Sequence, residues 1–357
     1  MHKSDRIPFL VKKFGSVLLN QGRSRLNAVR KITDRFHNRA IVLLYHRVSR
    51  LECDPQLLCV SPKYFSEQME YIAQNHRPIS LDQLRDSMLT GMVPDKGVVV
   101  TFDDGYADNL WNAKPVLERF SIPATIFVSN GFVDQNIETY SDVLDRTLLG
   151  TKNLPKSLEL IIQDKTYLWQ FSDVKFEGDA WDVTMGNYPT DYHKCYHELH
   201  SILRPMDDSI RQQIGQELIS WAMLSNSARQ ERRILTTDEL RTISEDGLIK
   251  IGSHGVSHLL MSSQSKDAQA KEAVNSKREL ESIIGSPIKT FAYPYGGRTD
   301  FTKETVEIVK QSGYELACAN YPGTVKRHSD LFRMPRMLVR DWDGAEFASR
   351  LKSAFGD

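Results

Sequence analysis

Short apolar runs alternate with segments of helical spacing over two long stretches of this chain. The runs at 40–45 (Ala-Ile-Val-Leu-Leu-Tyr), 97–102 (Gly-Val-Val-Val-Thr-Phe) and 123–128 (Pro-Ala-Thr-Ile-Phe-Val) are nearly unbroken and rich in β-branched residues, the composition of buried strands. Between the first two, Ser61-Pro62 precedes apolar residues at Phe65, Met69, Ile72 and Ala73. This predicts a helix with a Ser cap and Pro at its first position. A second helix is expected from Ser80 and a third over 108–120. The rhythm returns at Thr236-Thr237-Asp238-Glu239, a capping-box signal for a helix that Gly247 is expected to end. A strand over 248–252, a helix over 267–284, a strand over 290–293 and a helix over 302–312 follow. Strands alternating with helices predict a mostly parallel sheet or barrel.

The alternation stops between 132 and 235. That stretch holds Trp169, Phe171, Trp181 and Tyr188, some strand-like fragments and a helical pattern near 207–224. It reads as an insertion or subdomain of about 100 residues. The expected organisation is a basic amphipathic segment over 1–40, a barrel built from 41–131 and 236–357, and the insertion over 132–235. Because the insertion interrupts the barrel after the strand at 124–128, it is expected to lean over the face where the strands end.

Composition narrows the class. The 357 residues are 40% hydrophobic and 26% charged, with a formal net charge of zero, so the chain as a whole makes no case for nucleic-acid binding. Charge is nevertheless uneven: residues 1–40 carry ten Lys/Arg against Asp5 and Asp34. With Phe9, Leu10, Phe14, Val17, Leu18, Ile32 and Phe36, this segment has two readings, a stretch lying on an anionic membrane surface or a helix packed on the domain. No run reaches the ~18–20 apolar residues that span a bilayer, and Lys12-Lys13 interrupts the run at 9–11, so no signal peptide is expected. Cys53, Cys59, Cys195 and Cys318 match neither a zinc module nor a disulfide framework. A cytoplasmic setting is expected, with peripheral contact at the inner membrane face through residues 1–38.

The candidate chemistry sits at strand ends. Thr101-Phe102-Asp103-Asp104-Gly105-Tyr106 places two adjacent carboxylates where a buried strand meets a loop. Two like charges there need a cation or a shared proton, unless the motif is only a solvated turn. Ser253-His254-Gly255-Val256-Ser257-His258 follows the strand at 248–252, and its histidines, four residues apart, can reach one cation. Tyr45-His46 and Pro294-Tyr295-Gly296-Gly297-Arg298 occupy the same kind of position. Parallel α/β folds build their sites from loops at the carboxyl ends of strands, so four polar strand ends converge on one face.

These motifs carry a resemblance. Residues 101–106 resemble the first motif of the polysaccharide deacetylases, the NodB-homology or carbohydrate esterase family 4 enzymes. Residues 253–258 resemble their metal-binding H-[ST]-x-x-H motif, with Gly255 where Ser or Thr is usual. Phe291-Ala292-Tyr293-Pro294-Tyr295-Gly296 is similar to the Pro-Tyr-Gly motif of the exopolysaccharide-modifying branch, and Leu44-Tyr45-His46-Arg47-Val48 to its Tyr-His-x-Val opening. The resemblance covers about 41–131 and 236–345. It implies an irregular (β/α) barrel and metal-assisted removal of N-acetyl groups from amino sugars of a polysaccharide or glycan precursor. Asp104, His254 and His258 are then the expected ligands of a divalent metal, zinc by family habit. Asp103 is the expected general base, and the backbone N–H of Tyr295 the expected oxyanion donor.

Two departures accompany it. The late Leu-x-His motif that supplies a proton donor in many members is missing, and His328 lies in a charged loop. The exopolysaccharide branch resembles a circular permutation with its acid near the N-terminus, which makes His46 the expected general acid. The Arg that orients the base is replaced by Ala292, leaving Arg298, Arg333, Arg336 and Arg340 as candidates from another direction. Asp341-Trp342 either orients the acid, stacks on a sugar or simply packs. Rival readings are an amidohydrolase or O-deacetylase acting on a small non-sugar substrate, and a catalytically degenerate glycan-binding protein.

Overall fold

The computed structural model describes residues 38–174 and 181–356. The amphipathic stretch expected near the N-terminus falls almost wholly on residues 1–37, outside the described residues. The strands are β1 (Ala40–Tyr45), β2 (Arg47–Val48), β3 (Cys59–Val60), β4 (Arg77–Pro78), β5 (Gly97–Phe102), β6 (Ala124–Val128), β7 (Ser157–Ile162), β8 (Lys165–Gln170), β9 (Ile249–Ser253), β10 (Thr290–Ala292), β11 (Leu316–Cys318) and β12 (Met337–Leu338). Eight of them form one parallel sheet in the order β11-β10-β9-β6-β5-β1-β12, with β4 on β5. Met334 pairs with Cys318 while Met337 and Leu338 pair with Leu43 and Leu44. The segment 334–338 therefore spans from β11 back to β1 and curls the sheet into the expected irregular barrel.

Every residue of β1, β5 and β6 is buried, because helices cover the outside and side chains fill the inside. The two faces separate by alternation. Ile41, Leu43, Tyr45, Val98, Val100 and Phe102 pack outward against Phe65, Met69 and Ile72 of the helix Pro62–Asn75. Ala40, Val42, Val99, Phe127, Ala292, Leu316, Cys318 and Met334 fill the interior. Asp103, two residues beyond Thr101, continues the inward face; this register aims its carboxylate into the barrel.

The outer helices follow their signals with small shifts. Ser80 forms a capping box with Gln83, and Thr236 forms one with Glu239. Ser61 caps the helix Pro62–Asn75 without a side-chain bond to it, since its hydroxyl donates to Asp341 Oδ1 at 2.8 Å. The helix expected over 108–120 begins as a π-turn, Asn109–Ala113, before Lys114–Phe120.

Beyond β6 lies a second cluster with its own core. The hairpin β7–β8, the short helix Tyr140–Leu144 and the helices Asp191–Leu203 and Asp208–Trp221 bury Leu158, Leu160, Ile162, Tyr196, Leu199, Ile214 and Leu218 together. The helix Asp191–Leu203 was not expected; its seven polar and charged positions between 191 and 201 mask an apolar stripe at Cys195, Tyr196, Leu199 and Leu203. Among the described residues no helix is long and apolar enough to cross a membrane.

Candidate active site

The carboxyl ends of β1, β5, β9 and β10 open into one cavity of about 530 Å³. His46, Asp103, Asp104, His254, His258 and Tyr295 all line it. The six residues singled out in the sequence therefore meet at one place.

Asp103 and Asp104 are adjacent but diverge. Asp103 points inward to Arg336, which donates from Nη1 to Oδ1 and from Nη2 to Oδ2, each at 2.7 Å. Arg336 is itself held by Ala319 O at 2.8 Å and is fully buried. Burial opposes charge on Asp103, but Arg336, His254 and His46 outweigh it and hold the carboxyl below its usual range. Asp104 takes a left-handed conformation, φ 72°, which turns its side chain away from its neighbour. Oδ1 of Asp104 lies 3.5 Å from His254 Nε2 and 3.4 Å from His258 Nε2, is buried and accepts no hydrogen bond. Burial, then the charges of Asp103 and Asp142, push this carboxyl well above its usual range.

His254 Nδ1 is 2.8 Å from Ala292 O. A carbonyl only accepts, so Nδ1 carries the proton and Nε2 presents a lone pair toward Asp104. Burial lowers the pKa of both histidines, with Asp103 pulling the other way at His254 and the His254 charge adding to the effect at His258. Two neutral imidazoles and one carboxylate therefore offer ligand atoms within 4.8 Å of one another. An orphaned carboxylate oxygen facing two imidazole nitrogens, with the His254 lone pair aimed at it, is unfavourable alone and is relieved by a cation, so these residues fit a divalent metal. An Asp-His-His set leaves positions open for water and substrate.

The loop between the histidines explains the Gly255 departure. Gly255 has φ 77°, and a Cβ there would lie 2.8 Å from Glu272 Oε2. That oxygen accepts from the backbone N–H of Val256 at 2.8 Å and of Ser257 at 2.9 Å. Glu272, on the helix Lys266–Ile284, thus fills the space a side chain at 255 needs and braces the loop.

His46 is half-buried, with its Nδ1 atom enclosed and unpartnered. Burial pulls its pKa down to about 4, although Asp103 pulls the other way. Tyr295 adopts φ 60°, and its ring lies 4.7 Å from that of His258.

Residues that the sequence left open or missed complete the site. Of the four candidate arginines, Arg336 alone pairs with Asp103; Arg298 lies over Tyr321, Arg333 sits near Asp330, and Arg340 donates to Gln56 O and Leu57 O. Asp341 accepts from Ser61, and Trp342 packs against the core beneath Arg350, so neither faces the cavity. His328 is exposed. Tyr140, His200, Arg204, Asp208 and Arg211, all between positions 132 and 235, also line the cavity. Behind Asp104, Arg47 and Arg232 pair with Asp108, Asp142 and Asp145, and Arg229 joins Glu138 to Asp145. No periodic signal marks this buried network, since its members come from four separate segments.

The family model for polysaccharide deacetylase matches residues 90–159 and 213–317, the blocks that hold the Asp and His motifs. A poly-beta-1,6-N-acetyl-D-glucosamine N-deacetylase of Escherichia coli (strain K12) is 28% identical over 121 residues. That alignment covers 32% of this chain and only 18% of the relative's length. A protein of the same name from Staphylococcus aureus (strain MSSA476) is 20% identical over 329 residues, 86% of this chain and 84% of that one. The Streptococcus pyogenes deacetylase PplD in complex with acetate superposes with a TM-score of 0.56 at 16% identity, covering 88% of this chain and 99% of that one; at that identity the likeness is one of fold. This chain belongs to the polysaccharide deacetylase family.

Proposed function

We propose that this protein is a metal-dependent hydrolase that removes N-acetyl groups from amino sugars of a polysaccharide or glycan precursor. The observation that carries this reading is the unpaired Asp104 oxygen facing His254 and His258, beside an Asp103 held by Arg336. A divalent cation, zinc being suited to this donor set, would be held by Asp104, His254 and His258 and would supply Lewis acidity toward water and the acyl oxygen.

The chain's own groups divide the remaining work. Asp103 is ionised at neutral pH and accepts a proton from the attacking water. Arg336 keeps that carboxylate in one orientation. The backbone N–H of Tyr295 donates to the oxyanion. As the C–N bond breaks, His46 delivers a proton to the departing amine, and acetate is the second product. His46 is neutral in the resting site, so the proton it delivers is the one that Asp103, its charged neighbour, has taken from the water.

The proteins named above as N-deacetylases of poly-beta-1,6-N-acetyl-D-glucosamine support an N-acetylglucosamine polymer as the substrate class. The cavity favours one alternative: its volume suits a small ligand, as does a wall supplied by the insertion. A small acetylated amide or ester is thus the second reading. The basic composition of residues 1–38 supports contact with an anionic membrane surface, and a cytoplasmic site at the inner membrane face is the matching location.

The test is metal content together with acetate release from N-acetylglucosamine oligomers. Asp103→Asn is expected to abolish release, and His254→Ala to lose the metal. Undiminished release in the first or unchanged metal in the second overturns the assignment. Release from small amides alone favours the second reading.

A further inference from the structure

Arg211 belongs to the insertion, in the stretch 160–212 that the family model leaves unmatched. It sits in the first turn of the helix Asp208–Trp221 and is 2% exposed. Its guanidinium joins three parts of the molecule. Nε donates to Leu203 O at 3.1 Å and Nη2 to Arg204 O, at the end of the preceding insertion helix. Nη1 donates to the backbone carbonyl of His258 at 2.9 Å, and Nη2 to the Tyr295 hydroxyl at 3.2 Å. The group also lies over the Tyr140 ring, 4.7 Å from its centroid.

Both barrel partners are strained. His258 has φ 52° and Tyr295 φ 60°, left-handed conformations that are uncommon outside glycine, more so for Tyr than for His, and that surrounding groups help to hold. Opposite the His258 ring, Tyr295 is held from the 132–235 region: Tyr140 Oη is 2.9 Å from its hydroxyl, and Arg204 lies 4.5 Å over its ring while pairing with Asp300 at 2.8 Å. A planar group with five donors in a fixed fork can hold two loops and a helix end at once; an ammonium on a flexible stem cannot.

We propose that Arg211 is a positioning residue: through it the insertion holds His258 and Tyr295 in the conformations that present them to the cavity. The insertion is then part of the apparatus that shapes the metal loop, in addition to being a wall of the cavity. This rests on the metal-site reading above for its functional consequence, while its structural claim stands by itself.

The test uses the full chain with Arg211→Met, Arg211→Lys and Tyr140→Phe. Amide hydrogen exchange is read at 256–260 and 294–298, and zinc affinity by competition with a chelator, with circular dichroism to show that the fold persists. In Arg211→Met, exchange is expected to rise in those two segments and not across the barrel, and zinc affinity to fall by roughly 10–100-fold, as for other groups that orient a ligand. Arg211→Lys is expected to rescue neither. Unchanged exchange at both segments in a folded Arg211→Met overturns the proposal. If that variant does not fold, Tyr140→Phe decides: faster exchange at 294–298 supports the clamp, and unchanged exchange overturns it. A parent protein that takes up no zinc but shows the exchange contrast supports the clamp while overturning the metal-site reading.

Discussion

Arg336 grips Asp103 through two hydrogen bonds of 2.7 Å, and both side chains lie inside the barrel. A residue near the C-terminus thereby orients a carboxylate more than 230 positions earlier. The pair forms because β5 alternates its side chains and because the segment 334–338 closes the sheet against β1. Buried ion pairs cost much desolvation, so this one is retained for geometry rather than for stability.

Replacing Arg336 therefore affects both rate and fold. Arg336→Met leaves Asp103 buried without a partner, which costs about 3–5 kcal/mol of stability. Arg336→Lys keeps the charge but loses the two-point grip, and kcat is expected to fall about 100-fold. The pH profile separates the effects. With Arg336 present the Asp103 pKa is depressed, so the base stays ionised well into acid; in Arg336→Lys the acid limb of kcat/KM moves to higher pH. Melting curves together with acetate release across pH check both.

Gly255→Ala places a Cβ 2.8 Å from Glu272 Oε2 at φ 77°. Backbone strain and the displaced carboxylate together are expected to cost roughly 1–3 kcal/mol, with weaker metal retention. Glu272→Gln keeps one oxygen to accept from Val256 and Ser257 and is expected to be milder. Chemical unfolding and bound-metal analysis of the two variants give the comparison.

Metal removal is expected to lower the melting temperature, because a ligand that binds only the folded chain stabilises it. At 100 times Kd the gain is about 2.7 kcal/mol. Chelator should remove this increment and zinc restore it, whereas His258→Ala should show no zinc-dependent shift. A shift of equal size in that variant would place the cation elsewhere.

Two of the histidines lowered by burial, His46 and His200, bear on stability against pH. Burial pulls His46 and His200 to about 4, against 6.5 in an open chain. The folded state then binds fewer protons than the unfolded one between pH 6.5 and 4, so stability falls as the pH falls through that window. Each group is worth about 3 kcal/mol once fully expressed. Asp145, raised to about 7 by burial and by Asp142, acts in the opposite sense, so the comparison must be between variants. His200→Asn is expected to lose about 2 kcal/mol less than the parent between pH 7 and pH 5. Unfolding midpoints at the two pH values measure this, and equal losses would count against it.

Much of the barrel was legible in the chain. Unbroken apolar runs, caps at Ser80 and Thr236 and the return of strand–helix alternation after 235 are local signals, and local signals survive without knowledge of the fold. The polar strand ends were legible for the same reason, since parallel α/β architecture alone places Asp103, Asp104, His254, His258, His46 and Tyr295 on one face. The helix Asp191–Leu203 was hidden because its polar residues outnumber the stripe that it buries. Arg336 stood among four equivalent arginines, and nothing near 336 distinguishes it until the sheet has closed.

The sequence by itself determined the parallel barrel and the set of residues that meet at its mouth, because burial patterns and strand ends are written locally. Only the tertiary structure decided which arginine holds Asp103, that Asp104 turns from its neighbour toward the two histidines, and that Arg211 reaches from the insertion to His258 and Tyr295. Those choices depend on hydrogen bonds between segments tens to hundreds of residues apart, whose geometry exists only after the chain has closed on itself.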